Sequence, residues 1–337
     1  MRDLLKKLCL ADGVSGAEHS VADIIKQEIK GYADFHTDKM GNIIAFKKGK
    51  KRAENVVMID AHMDEVGMII TSVTSDGFLK FQTVGGITPS ALLCRAVMIE
   101  GKIPGVIGCK PIHLSKGEEK ETSPKEDSLY IDIGAASKEE ALEKVHLGDF
   151  ATFKSDFTLL GENRIKAKAI DDRAGCAILI SLLKSQAEYD FYATFTVQEE
   201  VGCRGARTAA FAVEPDFAIC LEATTAADIA DVEEENRVCS LCGGPAVSFM
   251  DRSTLYDREL YNCALNSGIT CQSKSAVTGG NNSGAIHLSK TGIRTLAISV
   301  PCRYIHSASC ICDYRDIENA LSLSKYMCNK ICSGDIK

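Results

Sequence analysis

The sequence contains no tryptophan, and aromatic residues fill only 6% of its 337 positions. Flat platforms of the kind that hold sugar rings are therefore scarce. It also lacks an excess of positive charge: 39 Lys and Arg stand against 46 Asp and Glu, a formal net charge of -7. A chain without a basic field has little with which to neutralise phosphates, so nucleic acid is excluded as a partner. No apolar run approaches the ~20 residues that span a bilayer, because Lys, Glu or Gly interrupts each one. A membrane role is excluded too. The opening stretch, residues 1–10, has periodic leucines broken by Asp3, Lys6 and Lys7 and no small-residue cleavage site, so it reads as an amphipathic surface helix and not a secretory signal.

Fifteen cysteines are too few for a secreted disulfide scaffold of this length, and the number is odd. They point to a reducing cytoplasm. Cys239 and Cys242 form a CxxC without the second pair that structural zinc needs, and are read as thiols with no shared task. Asn281-Asn282-Ser283 fits a glycosylation acceptor that a cytoplasmic chain leaves unused.

What is present is ordinary for a soluble enzyme: 45% hydrophobic and 25% charged residues. The length suggests about two domains. Periodicity predicts helices over 20–29, 173–184 and 316–331, a short strand over 42–46, and buried strands over 56–60, 191–197, 217–221 and 295–300. Between them, short β-branched runs separated by Gly, Pro and charge predict six strands, over 67–73, 78–84, 96–99, 105–107, 130–133 and 149–153. The charged stretch 115–127 reads as a solvated loop. Alternating strands and helices imply an α/β layered fold. The domains expected are 1–65 with 161–337, interrupted by a β-rich insert over 66–160.

Four chemically capable clusters follow buried strands: His62 and Asp64, Glu199 and Glu200, Glu222, and His306. A fifth, Asp171-Asp172, precedes a helix. Loops at the carboxyl ends of strands in open α/β sheets converge on one crevice, so these side chains are expected to share a site. That many carboxylates together would repel one another and take up protons unless cations neutralised them. Two divalent ions would balance Asp171, Glu200, Glu222 and a bridging hydroxide. Imidazole and carboxylate without thiolate suit zinc, cobalt or manganese. At the Glu199-Glu200 doublet, strand alternation would send one carboxylate to the metals and the other to the substrate.

In order along the chain, Ala61-His62-Met63-Asp64-Glu65-Val66-Gly67, Ala169-Ile170-Asp171-Asp172-Arg173, Gln198-Glu199-Glu200-Val201-Gly202 and Arg303-Tyr304-Ile305-His306-Ser307 resemble the M42 family of dinuclear metallo-aminopeptidases. Within the insert, residues 105–111 (GVIGCKP) resemble a family signature as well. The resemblance implies a three-layer α/β/α zinc-exopeptidase-like domain with a mixed central sheet, and a barrel-like dimerisation insert. It implies that His62 and Glu222 bind one metal, Glu200 and His306 the other, and that Asp171 bridges them. Glu199 would be the general base and Asp64 the carboxylate that orients His62. A cis peptide at Asp171-Asp172 is implied too.

The cofactors expected are thus two divalent ions, zinc or cobalt ahead of manganese. The partners are short peptides and further copies of the chain, dimers assembling to a dodecamer. Rival readings are another metal-assisted hydrolase such as a deacylase, or an endo-1,4-β-glucanase, a label that relatives often carry. Two departures stand out: Glu222 where many members have Asp, and Gly280-Asn281-Asn282-Ser283 where members often read Gly-Thr-Asp-Ala.

Overall fold

The structure is a computed structural model that describes residues 1–114 and 124–336. The larger sheet takes β1 (Asp34–Thr37), β2 (Ile43–Lys47), β3 (Val57–His62), β10 (Thr158–Leu160), β11 (Arg164–Ala167), β12 (Phe191–Thr196), β13 (Phe217–Thr225), β14 (Ala246–Val247), β15 (Gln272–Ser273), β16 (Arg294–Arg303) and β17 (Cys310–Asp313). Its order is β1-β2-β12-β3-β13-β16-β17-β11-β10, with β14 and β15 beside β16. The middle strands β12, β3, β13 and β16 run parallel, while both flanks pair antiparallel. The sheet is mixed, as the sequence led us to expect.

Both faces of that middle are covered because its strands are apolar on both sides. Val57, Ile59 and Ala61 of β3 join the main core, whereas Met58 joins a smaller cluster with Ala206, Ala210 and Ala218. Successive side chains point oppositely, so one strand serves two layers. The main layer is built by α1 (Arg2–Leu10), α2 (His19–Ile29), α3 (Ile170–Lys184) and a closing helix, α5 (Tyr314–Cys332). α1 buries Leu5, Leu8 and Cys9, the stripe its leucine spacing implied. α5 buries Ile317, Ala320, Leu323, Met327 and Ile331 at helical spacing, and the Arg315 amide donates to the Asp313 carboxylate at 3.0 Å to cap it. Each fully buried Leu or Ile contributes roughly 2 kcal/mol. The opposite layer includes α4 (Arg204–Val213), an Ala-rich helix beyond those that the sequence reading predicts. It is bounded by left-handed residues at both ends, Cys203 and Glu214.

The six runs between residues 67 and 153 form β4 (Gly67–Val73), β5 (Leu79–Val84), β6 (Ala96–Ile99), β7 (Ile103–Gly108), β8 (Tyr130–Asp132) and β9 (Phe150–Phe153). They close as a barrel in the order β4-β5-β8-β7-β6-β9, around Met68, Leu79, Phe81, Val97, Ile107 and Phe153. Closure leaves no open strand edge. Most of the charged loop expected over 115–127 lies outside the described residues; its end forms a single 3-10 turn, Glu126–Ser128. Among the described residues no helix is long and apolar enough to cross a membrane.

Candidate metal centre

Because β12, β3, β13 and β16 are parallel, their carboxyl ends lie along one edge of the sheet. His62 is the last residue of β3, Glu199 and Glu200 follow β12, and His306 follows β16. Glu222 differs from expectation in lying within its strand, since β13 continues to Thr225. Asp171 enters from α3, whose first turn departs from helical geometry at Asp171 and Asp172. The peptide bond between those two residues is cis.

The side chains converge. His62 Nε2 lies 3.2 Å from Asp171 Oδ1, 3.6 Å from Glu222 Oε2 and 3.9 Å from Glu199 Oε2. His306 Nε2 lies 3.3 Å from Asp171 Oδ2 and 3.3 Å from Glu200 Oε2. Asp171 thus faces one imidazole with each oxygen. All seven residues given a role from the sequence come together here, with Asp64 directly behind His62. Its Oδ1 is 3.4 Å from His62 Nδ1, and its two oxygens accept the amides of Glu199 and Glu200 at 3.0 and 3.1 Å.

The alternation expected at the Glu199-Glu200 doublet does not operate. β12 ends at Thr196, and Gln198 adopts a left-handed φ of 57° that breaks the strand. Both carboxylates therefore turn to the same centre.

The charges are poorly balanced by protein alone. Burial, with repulsion from Asp171 and Asp64, pushes Glu199 up to about 7. Burial and the neighbouring acids push Glu200 and Glu222 well above the usual carboxylate range. Against their own burial, the carboxylates raise both imidazoles, His306 to about 10. Asp171 is held low despite burial by its two histidines. A site this acidic, with Glu200 Oε1 buried and lacking any partner, fits divalent cations. Two sets of donors lie within 4.8 Å of one another, His62 with Asp171 and Glu200, and His62 with Asp172 and Glu222. Nitrogen and oxygen donors without sulfur suit zinc, cobalt or manganese.

Sequence reasoning gave Asp172 no role, yet it falls within donor reach. Its Oδ1 accepts the Gly175 amide at 2.9 Å, while Oδ2 has no partner. Also missed were Ser15, whose hydroxyl donates to Asp64 Oδ2 at 2.6 Å, and a buried network behind Glu65. There Lys168 Nζ donates to Glu65 Oε1 at 2.6 Å, and fully buried Arg173 donates to the Leu8 carbonyl at 2.8 Å. These contacts span up to 165 positions, so no local signal marks them. At the departure noted in the sequence, Asn282 donates through Nδ2 to Asp60 Oδ2 at 2.7 Å, and Asn281 lines the cleft. That cleft, of about 670 Å³, opens onto Asp171, Glu199, Glu200, Glu222 and His306.

The fold and the site have counterparts. The family model described as M42 glutamyl aminopeptidase matches residues 41–323. A putative aminopeptidase of Acetivibrio thermocellus is 39% identical, over 96% of this chain and 97% of its own. The lysyl aminopeptidase of Pyrococcus furiosus is 32% identical, over 98% of this chain and 97% of its own. Among solved structures, the Pyrococcus horikoshii TET1 peptidase, described as assembling into a tetrahedron or a large octahedral shell, superposes with a TM-score of 0.84 at 35% identity, covering 97% of this chain and 98% of its own. With a family match across most of its length and relatives of this identity at near-full coverage, the chain belongs to the M42 family of aminopeptidases, which are peptide hydrolases.

Proposed function

We propose that this chain is a dinuclear metal-dependent aminopeptidase that removes N-terminal residues from short peptides. One observation carries the reading: His62, Asp171, Glu200, Glu222 and His306 meet in one cluster with Glu199 beside them, and all of these except the fully buried His62 line the cleft. His62 and Glu222 would hold one ion and Glu200 and His306 the other, with Asp171 shared, since each of its oxygens faces a different imidazole. Zinc or cobalt suits this donor set, with manganese as the further candidate. Bound there, divalent ions supply Lewis acidity for the scissile carbonyl and lower the pKa of water.

The protein's own part is proton transfer and orientation. Glu199 is the general base: its carboxylate takes a proton from the attacking water and delivers it to the departing amine nitrogen as the C–N bond breaks. Asp64 keeps the His62 ring in place through Nδ1, leaving Nε2 turned to the centre. The acids around the cleft would also receive the substrate's free α-ammonium, which restricts cleavage to the chain's start.

The barrel is proposed to form an inserted dimerisation domain and the rest of the chain the catalytic domain; the boundary expected at 160 falls earlier, since β10 (Thr158–Leu160) pairs with β11 in the larger sheet. Dimers would assemble to a dodecamer, a reading supported by the shells described for the Pyrococcus horikoshii peptidase. Fifteen unpaired cysteines support a reducing, cytoplasmic setting. Against a glucanase, no Phe or Tyr ring lines the cleft among the described residues.

The test is metal-free protein reloaded separately with zinc, cobalt and manganese, assayed on aminoacyl anilides and on carboxymethylcellulose. Anilide cleavage that requires metal is expected. Cellulose cleavage that survives chelation would overturn the proposal. Glu199→Gln should retain metal and lose about 10² to 10⁴ in turnover; turnover at the parent's rate would remove Glu199 from its role.

A further inference from the structure

Beneath the metal centre lies a buried acid that the chemistry above does not use. Asp60 is fully buried in β3, two residues before His62, so both side chains leave the strand on the same face. Its Oδ1 accepts from the Thr194 hydroxyl at 2.6 Å, and its Oδ2 accepts from Asn282 Nδ2 at 2.7 Å. On β12, Thr194 stands opposite Asp60 and Thr196 opposite His62. Asn282, just before the short helix Ser283–Ile286, covers both pairs, because the same Nδ2 also donates to Thr196 Oγ1 at 2.9 Å.

The backbone of Asn282 reaches a ligand directly. Its amide donates to Glu222 Oε1 at 3.4 Å. Glu222 stands on β13, which flanks β3 on the side away from β12. One residue therefore ties together the ends of β12, β3 and β13 at the level where His62 and Glu222 approach each other. The other pair of ligands is held by different groups: the Glu200 amide donates to Asp64 at 3.1 Å, and His306 Nδ1 lies 2.9 Å from the Gly86 carbonyl oxygen.

Asn282 is itself fully buried, and its Oδ1 has no partner. Stranding a buried acceptor is unfavourable, and a leucine of similar size would strand none. What the asparagine offers in return is its pair of donors, both of which are used.

We infer that Asn282 is a positioning residue for one ion only, the ion assigned above to His62 and Glu222, whose separation it fixes by clamping β12, β3 and β13 from below. The inference rests on that dinuclear reading. Groups that hold metal ligands in place are typically worth about 10- to 100-fold in affinity. A residue that merely kept the fold together would support both ions alike.

The experiment measures zinc affinity of the metal-free full chain by competition with a chelating dye, in two backgrounds that separate the sites. In His306→Ala only the ion of His62 and Glu222 keeps its full set of ligands, and adding Asn282→Leu should weaken zinc by about 10- to 100-fold. In Glu222→Ala only the ion of Glu200 and His306 keeps its set, and adding Asn282→Leu should leave zinc affinity unchanged. Equal losses in both backgrounds, or no loss in the first, overturn the inference. If Asn282→Leu does not fold, Asn282→Ala removes the same donors without adding bulk and carries the same expectation. A parent that binds one zinc ion overturns the dinuclear reading alone, since the His306→Ala comparison needs only one ion to decide on Asn282; a parent that binds none overturns both.

Discussion

Gly175 offers a test in which helix propensity and the structure demand opposite signs. It lies inside α3, and replacing an interior helical glycine by alanine ordinarily stabilises by about 1 kcal/mol. Here an added Cβ would overlap Asp172 Oδ2 and lie 2.6 Å from Oδ1 and 2.7 Å from Cγ. The Asp172 carboxylate would have to leave its place, breaking the bond it accepts from the Gly175 amide at 2.9 Å.

Losing that buried bond removes about 1 to 3 kcal/mol, and overpacking a closed site removes about 1 to 3 kcal/mol more. Set against the propensity gain, Gly175→Ala should destabilise the protein by about 1 to 5 kcal/mol. The displacement occurs beside His62 and Glu222, so metal affinity should fall as well. Urea unfolding of the metal-free variant measures the first effect, and titration against a chelating dye measures the second. A variant as stable as the parent or more so would refute the packing described around Asp172.

Three further outcomes follow. Ser15→Ala removes the 2.6 Å hydrogen bond to Asp64, the support for His62, and should weaken metal binding by about 10-fold in a chelator competition; unchanged affinity would show that Asp64 needs no such support. Rebinding metal to metal-free protein near pH 7 should release protons into weakly buffered solution, because Glu199, Glu200 and Glu222 are raised and must ionise. The ions should also stabilise the fold, by about 2.7 kcal/mol for each site at 100-fold excess over its Kd, seen as a higher melting temperature; no proton release would contradict the charge imbalance.

The acid limb of the stability curve tests Asp313, which Arg315 holds down to about 2 from 3.8. A depressed carboxyl stabilises above its unfolded pKa and loses that contribution as the pH falls through its folded one. Arg315→Gln should therefore be less stable than the parent at pH 7, because it removes the half-exposed cation that faces the buried Asp313 carboxylate. The gap should close between pH 4 and 2; a gap constant with pH would assign the effect to packing.

Much of this protein was written locally along its chain. Alternating and continuous apolar runs mark β3, β12, β13 and β16 because burial on two faces leaves no other composition, and the barrel strands show through the turns between them. His62, Asp64, Asp171, Glu199, Glu200, Glu222 and His306 were visible because each stands next to such a run or opens a helix. What proximity along the chain cannot encode is contact across it. The direction of both glutamates at the doublet came from one left-handed residue, Gln198, and Asp172's place beside Glu222 from a break in the first turn of α3. The bond from Ser15 to Asp64 and the seating of Arg173 under α1 depend on segments distant in sequence being pressed together. Hydrophobic patterning specifies which face is buried; which polar atoms then meet is settled by packing, and packing is a property of the whole fold.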